Sequence, residues 1–202
     1  MQAYLTATAI IDYDCPDVWR LARQLSDEDA EVTTKACFEW VRDNIYHSSD
    51  YQMNPLTCRA SEVLTYKTGY CYAKSHLLAA LLRANSIPAG FCYQRLSVFD
   101  NGEPYSLHGF NGVYLESHGW YRLDARGNKP GVNAQFTPPQ EQLAYSMNFP
   151  AEIDCQHIFT EPLPQVVRAL QTYSTWDEAQ SNLPDISPAD LQKFTANSPS
   201  LS

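Results

Sequence analysis

The sequence lacks a long apolar run, a cluster of basic residues and any closely spaced pair of cysteines. No stretch approaches the roughly 18 apolar residues that a membrane-spanning helix needs, so we expect no membrane partner. Lysine and arginine nowhere reverse the net charge of −9, which argues against a nucleic-acid partner. The N-terminal residues show neither a basic region nor a long apolar region behind it. We therefore expect a cytoplasmic protein.

The chain has six cysteines, an even number that could indicate three disulfides. However, its 202 residues are neither short nor recognisably those of a secreted protein. A structural zinc site has little support without a Cys-x-x-Cys pair, and the stretch from Cys155 to His157 offers only two ligands. We predict mostly free thiols that pack as small apolar side chains, with no metal and no cofactor.

Hydrophobic spacing and turn residues divide the chain into helices, strands and two polar loops. The predicted helices are 16–25, one that begins after a capping signal at 26–29 and runs to about 46, 60–66, 71–85, 163–173 and 175–182. The predicted strands are 2–11, 89–99, 107–116 and 120–124, and the polar loops are 47–57 and 125–140. The last twenty or so residues are predicted to be irregular.

The order of these elements indicates the fold class. Helices come first, an antiparallel meander follows, and further helices end the chain, which is typical of an α+β fold rather than a doubly wound sheet. The length fits one domain over residues 1–202. We predict its core at about 30–135 and a helical C-terminal tail at about 136–202.

Cys71 stands in the first turn of the strongest predicted helix, directly after Gly69 and Tyr70. Unpaired backbone N–H groups and the helix dipole stabilise a thiolate there, and the same N–H groups can receive an oxyanion. Gly69 would let the backbone approach a substrate closely. Tyr70 and Tyr72 flank the thiol and could either line the substrate channel or cover the sheet. Position alone makes Cys71 a candidate nucleophile.

A thiolate nucleophile needs a base and a group that orients the base, and His108 and Asp124 are candidates for these roles. They lie on neighbouring predicted strands, joined by a turn centred on His118. This register places both side chains on one face of the sheet but four positions apart. The prediction therefore requires a β-bulge between Gly109 and Gly112 to bring the two side chains together.

Three stretches occur in order along the chain: FEWVRDNI, ASEVLTYKTGYCYAKSHLLAALLRANSIPA and HGFNGVYLESHGWYRLDARGN. The second resembles the nucleophile motif of the transglutaminase-like superfamily, in its bacterial cysteine-protease-like branch. The third resembles the His and Asp motifs of that family, and the first is similar to the helix before its core. The resemblance spans roughly residues 30–135. Phe110 stands where many members have a tryptophan, which puts the pocket shape in doubt but not the three motif residues.

The resemblance implies a papain-like arrangement, in which a helix with the cysteine packs on an antiparallel sheet with the histidine and aspartate. It implies that Cys71 is the nucleophile, His108 the base and Asp124 the orienting group, with no cofactor. The expected activity is hydrolysis of a peptide or protein amide. Transfer to an amine, as in a transglutaminase, uses the same three residues, so the sequence leaves that alternative open.

Two other functions also stay open. The domain could be a non-catalytic binding module, although such domains often lose the cysteine or histidine that this chain retains. It could be an arylamine-type acyltransferase that uses acyl-CoA, although the sequence has no recognisable nucleotide site. His76 lies about 140° around the helix from Cys71 and is expected to be packed or solvated rather than catalytic. Cys92 is expected in the core, and the sequence does not predict an oligomeric state.

Overall fold

The computed structural model describes residues 1–195, apart from the side chains of Gln192 and Thr195. The α-helices in this range are α1 (Pro16–Gln24), α2 (Ala30–Asn44), α3 (Ser48–Tyr51), α4 (Ala60–Tyr66), α5 (Cys71–Ala84), α6 (Pro164–Thr172), α7 (Trp176–Gln180) and α8 (Pro188–Thr195). The strands are β1 (Tyr46–His47), β2 (Thr68–Gly69), β3 (Ala89–Ser97), β4 (Tyr105–Leu115), β5 (Gly119–Leu123), β6 (Gln135–Thr137), β7 (Gln140–Gln142) and β8 (Ile153–Phe159).

The main sheet is antiparallel, with strand order β5–β4–β3–β8. Two smaller pairs lie outside it, the parallel pair β1–β2 and the hairpin β6–β7. α5 packs against β3 and β4, while α1, α2 and α4 also pack on α5. The predicted α+β fold is confirmed, because a central helix lies on an antiparallel sheet rather than between parallel strands.

α5 forms the centre of the hydrophobic core, and every residue from Cys71 to Arg83 is buried. Alanine and leucine predominate along it, which favours the helix and suits burial on all sides. Lys74 and Arg83 are the charged exceptions, and Nζ of Lys74 donates to the carbonyl oxygens of Arg42, at 3.2 Å, and of Ile45. These carbonyls end α2, so the buried ammonium group satisfies acceptors that the helix itself leaves free. Burial lowers the pKa of Lys74 to about 7.

The strand predicted at 2–11 was wrong, because Gln2–Leu5 forms a short 3-10 helix and no strand follows it there. Tyr4 instead packs edge-on against Trp120 at 4.7 Å and donates a hydrogen bond to the carbonyl oxygen of Ile158 at 2.8 Å. The apolar residues of this segment therefore cover the sheet instead of extending it. The other predicted helices and strands are confirmed, with small displacements at their ends.

The C-terminal part was predicted as a helical tail, and this was incomplete. β7 and β8 both lie in it, and β8 forms one edge of the main sheet. α8 occupies part of the terminus that was predicted to be irregular, and the rest of that prediction, 196–202, lies outside the described residues. Among the helices of residues 1–195, none is both long and apolar enough to cross a bilayer.

Candidate active site

Cys71 is the first residue of α5, at the helix end where backbone N–H groups have no helical acceptor. Among the described residues, no side chain caps this end by a hydrogen bond. The N–H groups of Cys71 and Tyr72 therefore remain available beside the sulfur, where the helix dipole gives a positive potential. The cysteine is 7% exposed and lines a cavity.

Backbone pairing and close packing hold the chain just before Cys71. β2 pairs in parallel with β1, so that Gly69 lies opposite His47. A Cβ atom at Gly69 would lie 3.0 Å from Cβ of Ala73 and 3.2 Å from Oγ1 of Thr57. Glycine thus fits tight contacts within the protein here, whereas the sequence suggested room for a substrate.

A hydrogen bond joins the predicted base to its predicted orienting group, since Nε2 of His108 lies 2.7 Å from Oδ2 of Asp124. β4 and β5 pair with Asn111 opposite Leu123, which centres the turn one residue earlier than predicted. Continued by one residue, this register puts Asp124 level with Phe110, two positions from His108. A diagonal pair of that kind is within reach of an aromatic ring and a carboxylate.

The predicted bulge at 109–112 was wrong, because β4 pairs with β5 from Asn111 to Leu115 without a register shift and pairs continuously with β3 through the same stretch. The two glycines serve packing instead. A Cβ atom at Gly109 would lie 2.8 Å from Cδ1 of Tyr72, and one at Gly112 would lie 2.8 Å from Cδ1 of Ile158. A shorter stagger between the strands, and not a bulge, brings the histidine and the aspartate together.

Asp124 is fully buried and accepts three hydrogen bonds. Besides the bond from His108, Oδ2 accepts from the N–H of Ala144 at 3.1 Å, and Oδ1 accepts from the N–H of Arg126 at 3.0 Å. Burial acts to raise the pKa of Asp124, but the charge and hydrogen bond of His108 and the two amides outweigh burial and lower it. The carboxylate is therefore ionised and fixed in place.

His108 lies between two acidic groups. Burial acts to lower its pKa, but the negative charges of Asp124 and Cys71, together with the hydrogen bond to Asp124, raise the pKa to about 10. Because Nε2 faces Asp124, Nδ1 is the ring nitrogen left for Cys71. Tyr145 contacts the imidazole edge-on at 4.9 Å, and Phe110 stacks on it at 5.8 Å. The structure thus brings Cys71, His108 and Asp124 together, with the imidazole hydrogen-bonded to the carboxylate and close enough to the sulfur for the two to interact electrostatically.

The two tyrosines beside Cys71 have different surroundings. The hydroxyl of Tyr70 donates to the carbonyl oxygen of Trp176 at 2.6 Å, and the residue lines the cavity. The hydroxyl of Tyr72 donates to the carbonyl oxygen of Leu107, the residue before His108. Tyr72 also reaches the cavity, but its hydroxyl ties the start of α5 to β4. It therefore sets the spacing between the thiol and the imidazole.

A cavity of about 670 Å³ opens beside Cys71 and His108. One side of the cavity is formed by residues 176–185, which we call the C-terminal wall. Gln180 and Leu183 of this wall line the cavity. The volume is in the range typical of ligand sites.

The C-terminal wall is attached to residues adjacent to the site. The N–H of Leu107 donates to the carbonyl oxygen of Pro184 at 2.8 Å. The guanidinium group of Arg95 makes two hydrogen bonds of 2.8 Å to the carboxylate of Asp185. With the bond from Tyr70 to Trp176, these contacts hold the wall at both ends.

Charged side chains in the cavity form a cluster that the sequence did not predict. Oδ2 of Asp50 accepts from Nη1 of Arg126 at 2.5 Å, and its Oδ1 accepts from Nη2 at 3.1 Å and from Nζ of Lys129 at 2.7 Å. Nδ1 of His47 lies 3.7 Å from Oδ2 of the same carboxylate. Burial acts to raise the pKa of Asp50, but Arg126, His47 and Lys129 together lower it.

These four residues come from the two stretches predicted as polar loops, 47–57 and 125–140. The sequence holds only two weak signs of this cluster. They are the spacing of His47 and Asp50 and the arginine that ends the Leu-Asp-Ala-Arg motif. Nothing in either stretch alone indicates that the two loops meet. Their functional residues could be found only once the fold had brought β1 and the end of β5 together.

The remaining cysteines lie apart from this site, and all six are free, as predicted for most of them. Burial raises the pKa of Cys37 and of Cys58 to about 12. His76 is buried with Nδ1 2.7 Å from the carbonyl oxygen of Cys58, which confirms a packed role. Cys92 lies in a buried cluster with Phe110, as expected for a core residue. Within residues 1–195, no group of three or more His, Cys, Asp or Glu could hold a metal ion.

A model of the transglutaminase-like superfamily matches residues 20–125. No curated protein matches the sequence. Among solved structures, the chain is similar to a candidate cysteine protease from Cytophaga hutchinsonii, with 22% identity and a TM-score of 0.49 over 61% of this chain and 40% of the other. It is similar to the periplasmic domain of TgpA from Pseudomonas aeruginosa, with 18% identity and a TM-score of 0.44 over 60% and 45%. The chain thus spans less than half of each of these structures.

Proposed function

Because the chain belongs to the transglutaminase-like superfamily, we propose that it is a cysteine-dependent acyl-transfer enzyme that hydrolyses a peptide or protein amide. The family resemblance expected from three stretches of sequence is confirmed by the match over 20–125. The observation that carries the proposal is the position of His108, which is 2.7 Å from Asp124, interacts electrostatically with Cys71 and opens to the cavity. A thiol nucleophile needs this combination of base and orienting group.

In the first half-reaction, the thiolate of Cys71 attacks the carbonyl carbon of the amide, and the electron pair of the C=O bond moves to oxygen. The N–H groups of Cys71 and Tyr72 stabilise that oxyanion at the start of α5. The C–N bond then breaks, and the leaving amine takes the proton from Nδ1 of His108. A thioester on Cys71 and a free amine result.

In the second half-reaction, water attacks the thioester carbon and passes one proton to the neutral imidazole of His108. The C–S bond breaks, the carboxylic acid departs and the thiolate of Cys71 is restored beside the cation. Asp124 holds the ring orientation throughout, since its carboxylate accepts from Nε2. An amine in place of water would complete a transglutaminase reaction by the same steps.

Selective alkylation tests the proposed nucleophile. Iodoacetamide at pH 6–7 is expected to label Cys71 rapidly in the wild-type protein, and His108→Ala should abolish this fast phase. His118→Ala is the matched control, because His118 is exposed at the turn between β4 and β5. Cys15→Ser is a second control, because it removes the labelling of a cysteine that is not buried. Equal labelling of several thiols, unchanged by His108→Ala, would rule out an activated Cys71.

A substrate screen then separates the activities, with Cys71→Ala as the blank. Peptide cleavage supports hydrolysis, and incorporation of an amine into a glutamine-containing peptide supports amine transfer. Consumption of an acyl-CoA would instead indicate the acyltransferase alternative. Binding of peptide without any turnover, in a protein whose Cys71 is not fast-reacting, would indicate a non-catalytic binding module.

A further inference from the structure

His47 is a second histidine in the cavity, and the proposed reaction has not used it. β1 places it opposite Gly69, two residues before Cys71. Its ring packs edge-on against Tyr70 at 5.4 Å, and it lines the same cavity as Cys71 and His108. The residue is 7% exposed, so its position is set by packing rather than by solvent.

The two ring nitrogens of His47 have different environments. Nδ1 is buried, has no hydrogen-bond partner among the described residues and lies 3.7 Å from Oδ2 of Asp50. A lone pair facing a carboxylate is repelled, whereas an N–H is attracted, so the neutral ring carries its proton on Nδ1. Nε2 then presents a lone pair. Nε2 bonds to no described group. It is also not one of the buried atoms that lack a hydrogen-bond partner, so it faces the open cavity.

The charges around His47 keep it neutral. Burial lowers its pKa well below the usual value, the cations Arg126, Lys74 and His108 act in the same direction, and Asp50 opposes them. Lys129 reduces the opposing effect, because it also binds the carboxylate of Asp50. A neutral imidazole can accept a hydrogen bond, whereas an imidazolium cannot.

We propose that Nε2 of His47 accepts a hydrogen bond from the water that attacks the thioester, and so positions it. This inference rests on the proposed hydrolase function. One O–H group of the water points to Nδ1 of His108, which takes the proton, and the other O–H group points to His47, which keeps the oxygen lone pair directed at the carbonyl carbon. No bond to His47 forms or breaks, and the balance of the reaction is unchanged.

The two half-reactions can be observed separately with a p-nitrophenyl acyl ester. Release of nitrophenol in the first turnover reports acylation of Cys71, and the intact mass of acid-quenched enzyme reports accumulated thioester. In His47→Phe we expect acylation within about threefold of the wild type, a turnover about 100-fold slower and a thioester that accumulates. His47→Gln, whose amide oxygen can accept in the place of Nε2, should recover at least tenfold in turnover.

Ser49→Ala, which also alters a residue lining the cavity, is the matched control and should retain turnover. Thermal unfolding of each variant checks the fold, and His47→Leu replaces His47→Phe if the latter is unstable. Wild-type turnover in both apolar variants, or slow turnover without accumulated thioester, would overturn the role of His47. Absence of any Cys71-dependent nitrophenol release from the wild-type protein would instead overturn the proposed function.

Discussion

The two histidines of the cavity each stand beside a carboxylate, yet they have opposite charge states. His108 is 2.7 Å from Asp124, and its pKa is raised to about 10 despite burial. His47 is 3.7 Å from Asp50, and its pKa is lowered well below the usual value by burial and by nearby cations. A neighbouring carboxylate therefore does not decide the charge of a buried histidine by itself.

The difference lies in what else each carboxylate binds. Asp124 has backbone amides and His108 as partners, so His108 is the cation that balances its charge. Asp50 already binds two cations, Arg126 and Lys129. Their positive charges offset its negative charge, so Asp50 stabilises a third cation only weakly. Divergent pKa values in one site are the usual sign of separate acid and base roles. Here they fit the proposed roles, in which His108 donates a proton and His47 accepts a hydrogen bond.

Removal of His108 should give the largest effect. His108→Ala is expected to lower kcat/KM by about 10⁴-fold, because it removes the group that we propose transfers a proton in both half-reactions. His118→Ala should stay within about twofold, since its exposed ring lies outside the cavity. Steady-state kinetics on the same ester checks both values. If His108→Ala lowers kcat/KM no more than His47→Phe does, the two histidines do not have the different roles proposed for them.

Asp124→Asn should remove the charge that keeps His108 protonated. We expect a loss of about 3–5 kcal/mol in unfolding free energy, because a buried cation loses its partner. The pKa of His108 should fall from about 10 in the wild type, as measured by NMR of labelled histidine. An unchanged histidine titration in this variant would contradict the assignment of Asp124 as the main stabilising charge.

The same pair predicts a pH dependence of stability. The folded pKa of His108 is raised, so its contribution is complete below the unfolded value of about 6.5 and is lost as pH rises through about 10. Chemical denaturation from pH 6 to pH 10.5 measures this loss. In Asp124→Asn, the unfolding free energy should fall less between pH 6 and pH 10.5 than it does in the wild type.

Asp50→Asn should have an intermediate effect, because the side chain is 17% exposed and solvent screens its ion pairs. We expect a loss of about 1–3 kcal/mol, with slower hydrolysis of the thioester because the proton on Nδ1 of His47 is no longer fixed. The pKa of Asp50 is lowered, so its contribution is present above about 4 and is lost as pH falls further. Asp100→Asn, another acid on the cavity, is the control for denaturation and kinetics.

Tyr70→Phe should have the smallest effect. It keeps the ring beside His47 but removes the hydrogen bond to the carbonyl oxygen of Trp176, at a cost of about 1 kcal/mol in unfolding free energy. Tyr72→Phe is the contrasting variant, because it removes the bond between the start of α5 and β4. Alkylation of Cys71 should slow in Tyr72→Phe and stay unchanged in Tyr70→Phe.

Elements with local signals could be predicted from the sequence. α4 and α5 begin and end close to the predicted residues, because glycine, proline and capping residues act within a few positions. Two neighbouring strands and one turn placed His108 and Asp124 on one face but four positions apart, and only the family resemblance implied that they pair. The one-residue error in that turn was enough to demand a bulge that does not exist.

Contacts between distant residues account for what could not be predicted. Tyr4 bonds to Ile158, 154 residues away, and no local pattern distinguishes this covering segment from a strand. β8 joins the sheet beside β3 although four other strands, β4 to β7, lie between them in the sequence. His47 and Arg126 are far apart in the sequence, and only the fold places both of them beside Asp50. The catalytic roles of the site residues and the cytoplasmic location remain predictions.

The C-terminal wall has a consequence for how such a protein can change over evolutionary time. Cys71, His108 and Asp124 all lie within the stretch shared with the superfamily, 20–125, whereas the wall at 176–185 lies beyond it. The proposed catalytic residues and this wall of the cavity are therefore encoded in separate parts of the gene. We therefore expect mutations in the later part to change which molecules fit the cavity while the proposed catalytic residues stay the same.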